Sequence, residues 1–111
     1  MADDLNPEDD KLVTLARSTR VRNGAAEGAA VRDDTGRTYA ASTVSLPSLR
    51  LSALQAAVVM AVASGARGLE AGAVVSDADI PAAADRAALS DLGTGAPLHL
   101  ADPDGKVVAS G

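Results

Sequence analysis

Three residue types of a hydrolytic triad occur in this chain, as Ser52, Asp85 and His99. In such a triad the histidine takes the proton of the serine, and the acid orients the histidine. No glycine-flanked nucleophile turn surrounds Ser52. His99 lies between Leu98 and Leu100, in an alternation that is typical of a strand. We therefore interpret His99 as structural and keep a hydrolase as the minor alternative.

The composition narrows the chemistry further. The chain has 111 residues, no cysteine, no phenylalanine or tryptophan, and a formal charge of −5. Thiolate is therefore absent as a metal ligand or nucleophile, and the acidic balance disfavours direct binding of nucleic-acid phosphates. The sequence shows no signal peptide and no run of 18 apolar residues, so we expect a cytoplasmic protein without a membrane partner.

Residues 48–65 predict the helix around which the fold is organised. Ser48 is the predicted N-cap and Gly65 the predicted helix end. Residues 56–63 are all Ala, Val or Met, so the helix has no polar face and must be covered on most sides. We expect a sheet on one side and a second subunit on another. The predicted oligomer interface consists of Val58, Val59 and Met60.

The other elements follow in order along the chain. Residues 1–10 carry five acidic and no basic side chains and predict a solvated tail, followed by a single domain in residues 11–111. Helix signals overlap the tail, with Asn6 as N-cap and a helix to about Val21. Turn and alternation signals then predict strands at 25–32, 37–45, 69–76, 97–101 and 106–109 and a second buried helix at 81–92. This order predicts an α/β fold with an at least partly parallel sheet.

Segments spread over nearly the whole chain resemble a known family. They are the turn Asp34–Tyr39, the helix end Ala61–Gly65, the strand Ala73–Asp77 and the run Ala96–Val107. In order and spacing, from about residue 11 to 108, they are similar to the small homo-oligomeric cytidine deaminases. The resemblance implies a three-layer fold with a mixed five-stranded sheet, whose first two strands form an antiparallel hairpin, and helices on both faces.

The catalytic motifs of that family are replaced here. The family binds zinc and moves protons through C-A-E at the start of one helix and P-C-x-x-C at the start of another. The resemblance aligns these motifs with S-A-L at 52–54 and P-A-A-A-D at 81–85. Every thiolate is missing, and a leucine cannot carry a proton. We therefore expect no zinc, no other cofactor, and no catalytic role at the vestigial positions Ser52, Leu54, Ala82 and Asp85.

Two interpretations of the old pocket stay open. Helix N-termini that point into one pocket favour an anion, so the chain could bind a nucleotide or another small anion there. The predicted contacts of that anion are Arg50, Ser52 and Arg86. In the other interpretation, Arg86 pairs with Asp85 or Glu27, and Leu54 fills the pocket.

The sequence favours an interaction protein over an enzyme. The resemblance implies a dimer or tetramer, and short actinobacterial relatives without the motifs tend to be encoded beside a ribosome-associated GTPase. We therefore expect a catalytically inactive cytidine deaminase-like module, accessory to a ribosome-assembly GTPase. The alternative is an active zinc-dependent cytidine or nucleoside deaminase.

Overall fold

A five-stranded mixed sheet lies at the centre of the computed structural model, which describes residues 5–111. Along the chain the elements are α1 (Pro7–Asn23), β1 (Gly28–Asp33), β2 (Thr38–Ser42), β3 (Val44–Leu46), β4 (Leu49–Leu51), α2 (Ala53–Ala63), β5 (Leu69–Val75), α3 (Ala83–Leu92), β6 (Leu98–Ala101) and β7 (Val107–Ser110). The sheet order is β2-β1-β5-β6-β7, in which β5 and β6 are parallel and the other neighbours antiparallel. The predicted α/β fold with an initial hairpin is confirmed.

Helices cover both faces of the sheet. Side chains alternate along β1, so that Ala29 and Val31 belong to the core shared with α2 and α3, and Ala30 belongs to the core shared with α1. Leu12 of α1 and Leu54 of α2 are fully buried, one in each core. The predicted three-layer arrangement is therefore confirmed.

The first helix begins earlier than the predicted tail ends. The side chain of Asn6 accepts a hydrogen bond from the backbone N–H of Asp9 at 2.8 Å, and Pro7 takes the first helical position, as the helix signals predicted. Asp9 is only 5% exposed. The solvated tail predicted for residues 1–10 is therefore wrong for its last four members, which form the first turn of α1. Its first four lie outside the described residues, and the single domain in residues 11–111 stays a prediction.

The central helix is shorter than predicted because the residues before it form a small hairpin. Strands β3 and β4 pair antiparallel, with Val44 opposite Leu51. Helix α2 begins only after Ser52, which replaces Ser48 as the N-cap. At the other end, Gly65 has a φ of +95° and supplies the predicted left-handed residue.

One face of α2 is uncovered in the single chain. Val59, Met60 and Val62 are 52%, 44% and 52% exposed, whereas Val58 is partly buried and packs against the core. This is the face for which the sequence predicted a second subunit, and its cover by that subunit stays a prediction. None of the three helices within residues 5–111 is long and apolar enough to cross a membrane.

Helix α1 lies so close to β1 that only glycine fits at position 28. A Cβ on Gly28 would lie 2.0 Å from the carbonyl oxygen of Ala16 and 2.8 Å from the backbone nitrogen of Arg20. Atoms in protein interiors are already close-packed, so any larger residue would force the helix away from the strand. This contact fixes the position of α1, and of Asp9 at its start, relative to the sheet.

Candidate functional site

A direct hydrogen bond joins the N-terminal ends of α2 and α3, and we call this contact the Ser52–Asp85 junction. The hydroxyl Oγ of Ser52 donates to Oδ1 of Asp85 at 2.5 Å. The same hydroxyl accepts from the backbone N–H of Gln55 at 3.1 Å, and the Gln55 side chain accepts from the Ser52 N–H at 2.9 Å. These two bonds form a capping box. Ser52 is therefore locked in place as a helix cap, and its only hydroxyl proton goes to Asp85.

A second carboxyl group reaches the start of α2. Oε1 of Glu27 accepts from the backbone N–H of Ala53 at 3.4 Å. Burial raises the pKa of Glu27, the hydrogen bond from Ala53 opposes this, and the charge of Asp85 raises it further. Burial also raises the pKa of Asp85, which is 2% exposed, against the opposing hydrogen bond from Ser52. Both carboxyl groups therefore keep their protons to a higher pH than usual.

The cavity beside the junction is small. It has a volume of about 40 Å³, and the residues that line it include Glu27, Ser76, Ala82, Asp85 and His99. This is room for water, whereas small-molecule sites usually enclose about 300–1,000 Å³. Leu54, which was predicted to fill the old pocket, lies instead in the core beside Gly72 of β5 and does not line this cavity.

The zinc ion that the resemblance implies does not fit these residues. A mononuclear zinc site needs three protein ligands with N, S or O donor atoms. At the aligned positions the chain offers the hydroxyl of Ser52, already used in the cap, the methyl group of Ala82, and the one carboxyl group of Asp85. Across residues 5–111, no group of three or more His, Cys, Asp or Glu side chains is arranged to hold a metal ion. The arrangement joins two helices without offering a ligand set.

The arginines predicted to hold an anion do not converge on the junction. Arg50 is exposed on β4 and lies outside α2, so the helix predicted at residues 48–65 is wrong at this position. Arg86 lies on α3, but its guanidinium donates to the backbone carbonyl oxygens of Ala96 and Gly111. It does not donate to the carboxyl groups of Asp85 or Glu27. Neither arginine lines the cavity beside Asp85.

His99 takes part in a different polar cluster. Its Nε2 lies 2.9 Å from Oδ2 of Asp9, and its Nδ1 lies 2.8 Å from Oγ of Ser110. Oδ1 of Asp9 lies 2.9 Å from the guanidinium of Arg32, which also approaches Glu70 at 3.7 Å. Burial raises the pKa of Asp9, but hydrogen bonds from His99 and Arg32 outweigh it and lower the pKa. The trio considered from the sequence is therefore not assembled around His99. The hydrogen-bond partners of His99 are Asp9, which is 90 residues away in the sequence, and Ser110 on the neighbouring strand. No local sequence signal predicts either contact.

Another polar cluster is centred on Asp33, the last residue of β1, beside the turn that leads to β2. Its carboxylate accepts from the backbone N–H and hydroxyl of Thr35 at 2.9 and 2.7 Å, from the N–H of Arg37 at 3.0 Å, and from the hydroxyl of Tyr39 at 2.7 Å. Burial raises the pKa of Asp33, but these donors outweigh it and lower the pKa to about 2. An open cavity of about 460 Å³ lies alongside, between this turn and Arg67. The cluster fixes the shape of the hairpin turn.

An apolar groove runs between α2 and α3. It encloses about 360 Å³, and the residues that line it include Val58, Val59, Val62, Ala88 and Leu92. Of the three residues predicted for an oligomer interface, Val59 and Met60 are exposed, and Val58 is partly buried in the wall of the groove. Val62, which is also exposed, lies on the same face but was not among the predicted residues, and the interface itself stays a prediction.

Comparisons with known proteins find this architecture in cytidine deaminases. A family model described as cytidine deaminase-like matches residues 5–105. The crystal structure of cytidine deaminase from Burkholderia pseudomallei is similar, with a TM-score of 0.77, 25% identity, and coverage of 91% of this chain and 89% of that chain. The cytidine deaminases of Mycobacterium leprae and Mycobacterium tuberculosis have TM-scores of 0.69 and 0.68. Each is 26% identical, and they cover 96% and 88% of this chain and 96% and 86% of their own. No match was found among curated proteins.

Proposed function

The chain belongs to the cytidine deaminase-like family, and on that premise we propose that it is a catalytically inactive member that acts as a binding or protein-interaction module. The observation that carries the proposal is the Ser52–Asp85 junction. At two of the positions that the resemblance assigns to zinc ligands, the chain has a hydroxyl and a carboxyl group that bond directly to each other at 2.5 Å. A fold can outlast the chemistry of its family, because activity depends on the site and not on the fold.

Two further features support the loss of deamination. Leu54 stands where the family has its proton-carrying glutamate, and its side chain is fully buried in the core. The cavity beside Asp85, at about 40 Å³, is an order of magnitude smaller than the usual small-molecule site. A nucleoside therefore has no space at this position, and the proton-carrying glutamate of the family is replaced by a leucine.

The test is a direct comparison with an active relative. We would purify this chain and the Burkholderia pseudomallei cytidine deaminase from cultures supplemented with zinc, measure zinc per chain by mass spectrometry, and follow cytidine deamination by ultraviolet absorbance. We expect the relative to bind zinc and turn over cytidine, and this chain to do neither. About one zinc per chain together with turnover would establish the alternative, a zinc-dependent cytidine or nucleoside deaminase.

The partner proposed first is another copy of the chain. The face of α2 formed by Val59, Met60 and Val62 is apolar and exposed, and the groove beside it continues the same apolar surface onto α3. Exposed apolar patches of this kind mark interaction sites on soluble proteins. A symmetric dimer would cover the face with its own copy, and a tetramer would use a second surface in addition.

A ribosome-associated GTPase is the second proposed partner, and the cytoplasm is the proposed location. This part of the proposal rests on the genomic association alone. The test is affinity purification of the tagged chain at native level from its own host, at moderate salt, with the bound proteins identified by mass spectrometry. Recovery of a GTPase or of small-subunit ribosomal proteins supports the accessory role. Recovery of the chain alone contradicts it and leaves the homo-oligomer.

Binding of a nucleotide or small anion at the old pocket is the weaker alternative. Arg86 is engaged by two backbone carbonyl groups, and Arg50 lies on the β3–β4 hairpin. The carboxyl groups of Glu27 and Asp85 also lie where the anion would have to bind, and their negative charge would oppose it when they ionise. No residue of the described chain therefore favours this function over the interaction module.

A further inference from the structure

An aspartate, a histidine and a serine form a continuous hydrogen-bonded chain on the α1 face of the sheet. Oδ2 of Asp9 lies 2.9 Å from Nε2 of His99, and Nδ1 of His99 lies 2.8 Å from Oγ of Ser110. Asp9 starts α1, and His99 and Ser110 are directly opposite each other on β6 and β7. A nucleophile triad is recognised by this geometry and by the roles of its members, whatever their order in the chain.

The positions of the protons in this hydrogen-bonded trio follow from the ionisation of Asp9. An ionised carboxylate can only accept hydrogen bonds, so the Nε2 that faces Asp9 carries the proton of a neutral His99. Nδ1 then has a free lone pair, and the hydroxyl of Ser110 must donate to it. This is the direction in which a histidine acts as general base toward a serine. The ion pair of Arg32 with the other oxygen of Asp9, at 2.9 Å, keeps the carboxylate ionised and in place.

Within this hydrogen-bonded trio the acid and the histidine are buried and the serine is exposed, as a reactive serine requires. Asp9 and His99 are each 5% exposed, so the base and its orienting acid are shielded from water. Ser110 is exposed on β7, the edge strand of the sheet, where a second molecule can reach its hydroxyl. Arg86 donates to the carbonyl oxygen of the next residue, Gly111, and so places a positive charge beside this stretch of strand.

We propose that Ser110 is an acyl-acceptor nucleophile, activated by His99 and oriented by Asp9, that takes the acyl group of an activated ester or thioester. Oγ of Ser110 attacks the acyl carbon and forms an ester C–O bond while the bond from that carbon to the leaving oxygen or sulfur breaks. Nδ1 of His99 takes the hydroxyl proton and returns it to the leaving group. The product is an acylated Ser110 and a free alcohol, phenol or thiol. This inference is independent of the proposed function, because none of its residues belongs to the Ser52–Asp85 junction.

The test uses the full chain and p-nitrophenyl acetate as the acyl donor at neutral pH. Peptide mass spectrometry at successive times measures acetylation of Ser110 and of Ser48, an exposed serine outside the Asp9–His99–Ser110 hydrogen-bonded chain. General-base assistance by a positioned histidine is worth about 10²-fold or more. We therefore expect Ser110 to be acetylated about 100-fold faster than Ser48 in the same molecules. Equal rates at the two serines overturn the proposal.

Two variants separate activation from mere exposure. Ser110→Ala should abolish the fast p-nitrophenol release and leave the acetylation of Ser48 unchanged. Asp9→Asn removes the group that fixes the tautomer of His99, since an amide can both donate and accept. With folding checked by circular dichroism, it should slow acetylation of Ser110 at least about tenfold relative to Ser48. An unchanged ratio in Asp9→Asn contradicts the orienting role, and the wild-type ratio of Ser110 to Ser48 stays decisive if this variant fails to fold.

Discussion

Oγ of Ser52 lies 2.5 Å from Oδ1 of Asp85, and this contact joins the N-terminal ends of α2 and α3. The bond spans 33 residues of sequence, and Asp85 lines a cavity that has room only for water. A carboxyl group buried to this degree favours its neutral form, so the junction is sensitive to pH in a direction that can be worked out.

Asp85→Asn should stabilise the protein at neutral pH. Burial raises the pKa of Asp85 above its ordinary value of 3.8, so between that pH and the folded-state pKa the folded chain holds a proton that the unfolded chain has lost. Stability of the wild type therefore falls as the pH rises from about 3.8 through the folded-state pKa. The asparagine does not titrate, and its advantage in melting temperature should shrink to nothing below about pH 3.8. The measurement is thermal unfolding followed by circular dichroism over this pH range. Asp91→Asn, on the exposed side of the same helix, is the control and should shift little; a lower melting temperature for Asp85→Asn at neutral pH contradicts the prediction.

Three cysteines at the aligned positions should restore a zinc site. Tetrahedral zinc binds thiolates at about 2.3 Å, and the close approach of Ser52 to Asp85 places two of the three substituted positions within reach of one ion. The triple variant Ser52→Cys, Ala82→Cys, Asp85→Cys should bind about one zinc per chain. It should still fail to deaminate cytidine, since Leu54 is unchanged. Metal content is measured by mass spectrometry, with Ser45→Cys, Ser48→Cys, Ser64→Cys as a control that has equal thiols in exposed positions. Equal zinc in both variants would show that the helix ends do not form a site.

Asp33→Asn should lower stability at neutral pH. Burial raises the pKa of Asp33, but the donors on Thr35 and Tyr39 and two backbone N–H groups outweigh it and hold the pKa at about 2, below the ordinary 3.8. The folded chain therefore gains stability from the ionised carboxylate above about pH 3.8, and this gain is lost as the pH falls from there to about 2. The variant should melt at a lower temperature than the wild type at neutral pH and lose less on acidification. Asp34→Asn, at the exposed neighbouring position, serves as the comparison; identical acid profiles for wild type and Asp33→Asn would falsify the assignment.

Val59→Glu should weaken self-association without unfolding the chain. Val59 is 52% exposed in the single chain, so a charge there is tolerated by the monomer but is buried at an interface that covers α2. Burying one valine is worth about 1.5–3 kcal/mol, so its loss should weaken a dimer at least about tenfold. Light scattering coupled to size-exclusion chromatography measures the assembly. Val21→Glu, a 66% exposed position on α1, should leave it unchanged. A monomeric wild type, or equal masses for all three proteins, would remove the proposed interface.

Much of the fold was predictable because its signals are local. The cap of α1 at Asn6, the turn before β2 and the apolar run of β5 each predict their own element. The helix predicted at 48–65 begins too early. Leu49 and Leu51 alternate with polar residues, and so short a pattern suits either a helix or a strand. The S-x-x-Q pattern of Ser52 and Gln55 is a capping-box signature and marks the true start of α2.

The sites were harder to predict because they depend on contacts between distant residues. The resemblance identified Ser52 and Asp85 as vestigial positions, but their hydrogen bond depends on how two helices are placed against the sheet. His99 and Asp9 are 90 residues apart, and the burial of an acidic residue in the first turn of a helix has no sequence signature. The acidic start of the chain suggested a solvated tail, and only the packing of α1 reveals that one of its charges is internal.

The junction also bears on how much working protein a cell contains. A metalloenzyme of this architecture is complete only after an ion has been delivered to it, so its usable amount depends on supply as well as on synthesis. Here the two helix ends are joined by a hydrogen bond between Ser52 and Asp85, which are both residues of the translated chain. On the proposal that this chain binds no zinc, its folded amount should follow expression through periods of zinc starvation and zinc excess alike.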